Sequence, residues 1–343
     1  MDGLLIVDKP AGPSSHDVVA RARRALGERR IGHTGTLDPA ATGVLPLVLG
    51  RATRLARFLS AGDKAYEAVV HLGVDTDTND AEGRATGPAY QGPLPSRGEI
   101  DRALDASRGT FLQQPPAYSA KKIDGRRSYR LARAAARSLA EGGQLSYTGA
   151  GAPAGAPART DAHTSPETAR HGRRRSPDPV TVTTYGIDLV SVDGDRITLQ
   201  VDCSAGFYVR ALAHDLGEQL GIGAHLLSLR RTRSGGVTID QALALEAIER
   251  DPACAIGAVV PLSRMLPELS SLTLTREGVR RAVHGRDLGP DEVEKGDGSL
   301  FHDPAQKKTP VPFFRLVDPA GDLVAIAAPS ASSGLLHPAV VLM

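Results

Sequence analysis

A single carboxylate in a glycine-rich loop is the feature that most constrains this chain. Residues 32–45 read Gly-His-Thr-Gly-Thr-Leu-Asp-Pro-Ala-Ala-Thr-Gly-Val-Leu, and Asp38 is the only acidic residue among them. Glycine permits backbone angles and close approaches that a side chain would forbid, while Pro39 restricts Asp38 to extended or turn geometry. His33 is the only other ionisable group in the stretch. The loop therefore presents Asp38 as a candidate nucleophile, whose charge only a partner brought by the fold can balance.

The dipeptide Asp-Pro alone would favour a plain turn, and it recurs at Asp178, Asp251, Asp303 and Asp318. The residues around Asp38 change that balance. The pattern Gly-His-Thr-Gly-Thr-Leu-Asp-Pro-x-Ala-Thr-Gly resembles, over its whole length, the active-site motif of TruB-type tRNA pseudouridine-55 synthases. This resemblance implies that Asp38 is the catalytic aspartate. It also implies that His33 helps to hold the T-loop of the RNA around a flipped uridine.

Composition sets broader limits on the class of protein. With 343 residues, 41% hydrophobic and 23% charged, the chain is long enough for two domains and has the composition of a soluble globular protein. The absence of a long apolar run and of a signal-peptide pattern predicts a cytoplasmic protein that does not enter a membrane. Two cysteines are too few for a disulfide framework or a cysteine-rich zinc site.

The distribution of charge is more informative than the net charge of +2. Basic residues cluster in segments 21–30, 121–133, 173–175 and 230–233, whereas acidic residues gather in 287–297. Clusters of arginine and lysine suit the neutralisation of phosphates. Each cluster alone is more often a solvated face, so a nucleic-acid interface requires several of them to meet on one surface.

Two segments near the N-terminus carry further candidates. Residues 3–8 are predicted to form a buried strand that leads, through a Lys-Pro-Ala-Gly-Pro turn, to a helix capped by Ser14 or Ser15. Lys9 in this turn could be a loop cation or an RNA contact. Alternation over 66–72 predicts a strand in which Tyr66 would ordinarily belong to the core. By the resemblance, Tyr66 instead stacks on the flipped base, a role that suits a flat amphipathic side chain.

The acidic segment 75–80 resembles the start of a calcium-binding loop but lacks the required residues. Position six is Asp80 rather than glycine, and position twelve is Thr86 rather than glutamate. The segment is therefore predicted to be a hairpin turn, similar to the Gly-x-x-Thr-x-Thr-x-Asp segment of the family. Residues 113–133 combine a proline turn with cations and tyrosines, which fits an RNA-facing loop. Its Pro-Pro-x-Tyr-Ser-Ala-x-Lys motif resembles that of the family and contributes the candidate RNA contacts Lys121, Lys122 and Arg126.

A third block of motif residues follows at 204–235. Ser204 to Arg210 resembles the Ser-x-Gly-x-Tyr-x-Arg motif of the family, which implies that Arg210 pairs with the catalytic aspartate and that Tyr208 packs against the target base. By the same resemblance Leu229 lines the base pocket, and Arg230 is a candidate RNA contact. His214 and His225 could suggest a metal pair. Without carboxylates or cysteines at ligand spacing, structural roles are favoured and no metal site is expected.

The predicted fold is α/β (α+β), with a mixed, largely antiparallel sheet flanked by helices in a pseudouridine synthase domain formed by residues 1–136 and 180–265. Residues 137–179, rich in Gly, Ala, Ser, Thr, Pro and Arg, are predicted to be a disordered insertion. A small β-rich domain similar to the RNA-binding PUA domain is expected over 270–343.

The resemblance implies isomerisation of the T-loop uridine of tRNA by base flipping and aspartate catalysis, by a monomer without a cofactor or an obligatory protein partner. The target of the aspartate could be the anomeric carbon of the sugar, which is favoured, or the base. Two alternatives remain at this point. One is a tRNA-folding chaperone on the same scaffold, and the other is the synthase subunit of a guide-RNA-dependent complex.

Overall fold

The computed structural model describes residues 1–116, 122–123, 126–127, 178–296, 313–330 and 334–343, with side chains except at 122–123 and 126–127. Contacts divide the chain into two units, Met1–Phe111 with Val182–Met343, and Leu112–Thr181. In the second unit, a short antiparallel pair joins Lys122–Ile123 to Arg126–Arg127. Nearly all of the predicted insertion, and the segment 117–121, lie outside the described residues. None of the helices in the described ranges has the length and apolar character needed to cross a membrane.

The described residues form eighteen strands and seven α-helices. The strands are β1 Gly3–Lys9, β2 Ile31–His33, β3 Thr42–Leu49, β4 Lys64–Leu72, β5 Gly109–Gln113, β6 Lys122–Ile123, β7 Arg126–Arg127, β8 Val180–Asp193, β9 Arg196–Cys203, β10 Ala224–Ser234, β11 Val237–Thr238, β12 Leu243–Ala244, β13 Val260–Pro261, β14 Ser271–Leu274, β15 Val293–Lys295, β16 Phe314–Val317, β17 Leu323–Pro329 and β18 Leu336–Val341. The helices are α1 Ser15–Leu26, α2 Ala56–Ser60, α3 Arg97–Leu104, α4 Val209–Leu220, α5 Leu245–Arg250, α6 Pro252–Gly257 and α7 Arg276–Val283.

The large sheet has the strand order β12-β1-β3-β10-β4-β9-β8-β5, with β2, β11 and β13 paired at its sides. Most neighbours are antiparallel, but β3 runs parallel to β10 and β1 runs parallel to β12. The prediction of a mixed, largely antiparallel sheet flanked by helices is therefore confirmed. In β4 the alternate residues Ala68, Val70 and Leu72 are buried, as the period of two in a strand requires.

The first strand and helix form as the sequence predicts. Ser14 caps α1 in a capping box with Asp17, and Gly27 ends the helix in the left-handed conformation. Strand β1 is buried on both faces. Leu5 and Val7 belong to the core shared with α1, whereas Leu4 and Ile6, on the opposite face, belong to a second core.

That second core joins the large sheet to the C-terminal one. The C-terminal sheet has the order β15-β14-β16-β17-β18 and its own hydrophobic core beneath α7. From it, Val317, Ile326 and Leu342 pack in one cluster with residues of β1 and β3. A small β-rich structure is therefore present where one was expected. Its predicted limits at 270–343 and its likeness to a PUA domain stay predictions.

The parallel pairing of β3 with β10 fixes where the Asp38 loop ends. Gly43 pairs with Arg231 in this ladder. A Cβ atom on Gly43 would lie 2.2 Å from the carbonyl oxygen of Arg231, and its φ is +98°. Only glycine tolerates both this approach and this backbone angle. The glycine at position 43 thus allows the loop to run directly alongside the central strand.

Candidate active site

The ion pair between Asp38 and Arg210 is the centre of the candidate site. Asp38 lies in the loop that joins β2 to β3, and Arg210 lies in the first turn of α4. Arg210 Nε is 3.0 Å from Asp38 Oδ2, and the two side chains are 8% and 43% exposed, respectively. The fold supplies the cation that the sequence around Asp38 lacks. The carboxylate remains open to solvent on one side, so a substrate can reach it.

Asp80 is a second carboxylate on Arg210 that the sequence analysis missed. Arg210 Nη1 is 3.5 Å from Asp80 Oδ2 and donates to the carbonyl oxygen of Thr78 at 3.2 Å. The other oxygen of Asp80, Oδ1, accepts hydrogen bonds from Thr78 Oγ1 at 2.5 Å and from the Glu82 N–H at 3.1 Å. From the sequence, Asp80 was predicted only to lie in a hairpin turn. The acidic end of the family's Gly-x-x-Thr-x-Thr-x-Asp segment was the signal that could have found it.

Tyr66 lies on β4, half-buried and in contact with the core cluster beside α1. Burial raises the pKa of its phenol, and the positive charge of Arg231 acts in the opposite direction. The negative charge of Asp38 adds a smaller upward contribution to the pKa of Tyr66. Tyr66 is therefore a neutral phenol at physiological pH, and it lies within electrostatic reach of Asp38.

A small depression lies beside the ion pair, and Leu229 from β10 forms part of its wall. Tyr208, half-buried, immediately precedes α4 and so lies two residues from Arg210. The depression combines acidic, basic and apolar side chains, as a site for a flat polar base requires. Its lining consists of Asp38, Ala40, Ala41, Asp80, Ala81, Arg210, Leu226, Leu227, Ser228 and Leu229.

Lys9 is a loop cation, and its position contradicts the predicted RNA contact. The side chain is completely buried. Its Nζ donates to the carbonyl oxygens of Pro10 and Pro39 at 2.9 Å and of Ala41 at 2.7 Å. Burial lowers the pKa of Lys9 to about 8, against the opposing effect of the Asp38 charge. Two of these carbonyls follow Asp38 closely, so Lys9 holds the loop that carries it.

The basic cluster at 230–233 does not form a free phosphate-binding surface. Arg230 donates from both Nη atoms to the two carboxylate oxygens of Asp8, at 3.1 and 2.8 Å. Arg233 Nη2 is 2.5 Å from Asp202 Oδ1. Arg231 is only 1% exposed. The prediction that this cluster neutralises phosphate is therefore wrong for Arg231, while Arg230 keeps a partly exposed side chain beside its aspartate.

The remaining predicted RNA contacts are only partly described. His33 ends β2, and its ring meets that of His16 edge to face, with the centroids 5.2 Å apart. Lys121 lies outside the described residues. Lys122 and Arg126 belong to β6 and β7, but their side chains are outside the described part of the structure. Their roles stay predictions.

The two histidines considered as metal ligands do not belong to one group of potential ligand atoms among the described residues. His225 is buried, and its Nδ1 is 2.7 Å from the carbonyl oxygen of Val74, which is a structural role. His214, however, lies with Asp75 and Glu218 in a group whose potential ligand atoms are all within 4.8 Å of one another. The expectation that no carboxylates accompany these histidines is therefore wrong for His214. Its Nδ1 lies 3.5 Å from Asp75 Oδ1.

Comparisons with known proteins agree with this geometry. The profile described as TruB family pseudouridylate synthase (N terminal domain) matches residues 23–141, and that of the tRNA pseudouridylate synthase B C-terminal domain matches 210–265. A tRNA pseudouridine synthase B from Solibacter usitatus is 37% identical over 344 residues, covering 100% of both chains. One from Aromatoleum aromaticum is 40% identical over 84% of this chain and 81% of its own. One from Thermobifida fusca is 40% identical over 84% and 87%, respectively.

Solved structures show the same fold at lower sequence identity. A structure of an H/ACA RNP bound to a substrate RNA containing 2'-deoxyuridine matches with a TM-score of 0.64 at 22% identity, covering 99% of this chain and 85% of that one. An archaeal box H/ACA sRNP Nop10-Cbf5 complex matches with a TM-score of 0.65 at 23% identity, covering 99% and 86%. At this level of identity the likeness concerns the fold alone.

Proposed function

This chain belongs to the TruB family of pseudouridylate synthases, and from that premise we propose that it isomerises the T-loop uridine of tRNA, position 55, to pseudouridine. The relatives that share 37–40% of its residues are named tRNA pseudouridine synthase B. The observation that carries the proposal is the Asp38–Arg210 ion pair at 3.0 Å. It joins two motifs that are far apart in sequence and belong to one reaction in this family.

The reaction rearranges bonds without net addition or loss of atoms from the RNA. The bond between the sugar and N1 of uracil breaks, the free base rotates, and a new bond forms between the sugar and C5. The C5 hydrogen is released as a proton, and one proton is added at N1. We propose that Asp38 acts as the nucleophile at the anomeric carbon of the sugar; attack on the base ring remains the alternative.

The residues around Asp38 have separate roles in the proposed reaction. Arg210 holds the carboxylate of Asp38 in place, since its guanidinium is a fixed donor next to Oδ2. We assign Tyr66 and Tyr208 to stacking on the flipped base, which offsets a cost of roughly a few kcal/mol for leaving the stack. Leu229 would close the apolar wall of the pocket beside Asp38.

The RNA contacts are proposed to come from outside this pocket. His33 would hold the T-loop next to the flipped nucleotide, and Lys121, Lys122 and Arg126 would contact its backbone. Arg230, paired with Asp8, would also contact the RNA backbone.

The protein is proposed to act in the cytoplasm as a monomer without an obligatory protein partner. The support is its 37% identity over full length to a synthase named for tRNA alone. Turnover by the purified chain, together with its mass in solution, tests this directly. A requirement for added guide RNA would favour the alternative of a guide-dependent subunit.

The decisive experiment measures release of tritium from C5 of uridine in an unmodified tRNA. Wild-type chain is compared with Asp38→Asn and with a transcript in which the T-loop uridine is cytidine. We expect release that needs both Asp38 and that uridine, with tRNA binding retained in Asp38→Asn. Tight binding without release by the wild type would favour the tRNA-folding chaperone. Release that persists in Asp38→Asn would refute the nucleophile assignment.

A further inference from the structure

Arg231 is a completely buried cation for which the proposed reaction has given no task. Its side chain is among the largest fully buried side chains, with 1% exposure. Among the described residues, no carboxylate lies within ion-pair distance of its guanidinium. A buried charge without a counter-ion is costly unless fixed dipoles solvate it. The dipoles that solvate the guanidinium of Arg231 therefore show which parts of the chain this side chain holds in place.

Those groups are backbone carbonyls on either side of Asp38. Arg231 Nε donates to the carbonyl oxygen of Val44 at 2.7 Å, and Nη2 donates to that of Gly35 at 3.0 Å. Gly35 lies three residues before Asp38, and Val44 lies six residues after it. A guanidinium is planar and rigid, so its two bonds set the distance between the two ends of the loop. A lysine ammonium lacks this fixed planar geometry, so at position 231 it would not set the same distance between the two carbonyls.

The same side chain also reaches the strand on its other side. Arg231 and Tyr66 are directly opposite in the antiparallel ladder of β10 and β4. The positive charge of Arg231 opposes the rise in the pKa of the Tyr66 phenol that burial causes. Arg231 thus lies on the central strand between the loop that carries Asp38 and the strand that carries Tyr66.

We propose that Arg231 is a positioning residue, which fixes the Asp38 loop relative to Tyr66 and so sets the distance between the nucleophile and the base-stacking ring. The inference rests on the proposed function, because it assigns Arg231 to the same reaction. The residue itself cannot touch the RNA backbone, since it is buried. Its replacement should therefore reduce turnover without weakening the binding of tRNA.

Lys64 provides a matched control. It is also a buried cation, 6% exposed, and its Nζ bonds only to backbone carbonyls, those of Ser60 and Gly62. These carbonyls belong to the last residue of α2 and to the turn that follows it, not to the Asp38 loop. Lys64→Met should lower thermal stability because it leaves the carbonyls of Ser60 and Gly62 without their donor, but it should leave kcat within about twofold of the wild type.

The test compares Arg231→Lys, Arg231→Met and Lys64→Met with the wild type. Tritium release gives kcat and KM, filter binding gives the tRNA Kd, and thermal melting gives the folded fraction. We expect both Arg231 variants to lose kcat by at least about 30-fold per folded molecule, with the tRNA Kd within about twofold of the wild type. Arg231→Lys keeps the charge, so its loss would show that the two-carbonyl fork matters rather than the charge.

Three outcomes would overturn the inference. One is wild-type kcat in the Arg231→Lys enzyme. Another is a loss of kcat in Lys64→Met equal to that in the Arg231 variants. This result would mean that losing any buried cation lowers kcat by destabilising the fold. The third is a weakened Kd with unchanged kcat, which would make Arg231 an RNA contact. Failure of the proposed function is distinct, because then the wild-type chain itself releases no tritium.

Discussion

Replacing Asp80 by asparagine removes one negative charge beside Arg210 with little change in side-chain shape. The asparagine oxygen can still accept the bonds from Thr78 Oγ1 and the Glu82 N–H that orient the native carboxylate. What is lost is the attraction between Asp80 Oδ2 and Arg210 Nη1, which are 3.5 Å apart. Because Arg210 also holds Asp38, this perturbation tests whether the second carboxylate fixes the cation for the first.

The size of the effect follows from the distance and burial of the pair. At 3.5 Å and an effective dielectric constant of about 20, two unit charges attract by roughly 5 kcal/mol before desolvation is considered. Desolvation offsets part of this attraction, and Nη1 keeps its bond to the carbonyl of Thr78. A net loss of about 2 kcal/mol is the reasonable expectation, which corresponds to about a 30-fold fall in kcat.

The assay is tritium release under single-turnover conditions, paired with measurement of the tRNA Kd. Removing an acidic charge should leave RNA binding unchanged or slightly tighter, so weak binding cannot explain a fall in kcat. Asp77→Asn is the control, because Asp77 lies in the same hairpin but accepts only the Arg84 N–H among the contacts described for its side chain. Wild-type kcat in Asp80→Asn, or an equal loss in Asp77→Asn, would refute the reasoning.

Two further changes test the support of the Asp38 loop, and a third tests the effect of burial on Lys64. Gly43→Ala forces a Cβ against the Arg231 carbonyl and should lower the melting temperature by several degrees. Gly236→Ala is the control, because a Cβ there meets nothing within 4 Å, and it should leave the melting temperature unchanged. Equal melting temperatures of the two variants would contradict the close approach at Gly43. Lys9→Met leaves three loop carbonyls without their donor and should reduce kcat by about tenfold or more, which tritium release measures; unchanged kcat would show that Lys9 does not hold the loop. Burial lowers the pKa of Lys64 to about 8 from 10.5. Between these two pH values the folded state therefore binds fewer protons than the unfolded state. In denaturant titrations, the free energy of unfolding of the wild type relative to that of Lys64→Met should rise by about 3 kcal/mol from pH 7 to pH 10. A flat difference across this range would mean that Lys64 titrates normally.

The sequence identified the local elements whose causes are local. The alternation in β4 and the helix cap, predicted at Ser14 or Ser15 and found at Ser14, depend on neighbouring residues and formed as predicted. The Asp38 motif was also readable, since its glycines and proline specify the loop without reference to the rest of the chain. The motifs and their family resemblance together led to the pseudouridine synthase fold.

The tertiary structure alone decided which charges are free and which are buried. In the sequence, Lys9, Arg230 and Arg231 look equally suited to phosphate contacts. In the structure, Lys9 and Arg231 are buried against backbone carbonyls, whereas Arg230 faces Asp8. Burial depends on which strands pair, and β10 pairs with both β3 and β4. The pairing of β10 with β3 joins Arg230 to Thr42, about 190 positions apart in the sequence. Local patterns carry no information about such pairings.

The same reason explains why Asp80 and the carboxylates around His214 were missed. Both arise where the hairpin after β4 meets other parts of the chain, namely α4 and the start of β10. The sequence by itself determined the Asp38 loop and the elements on either side of it. The long-range packing determined that one arginine serves two carboxylates, because an ion pair depends on distance in space rather than on spacing along the chain.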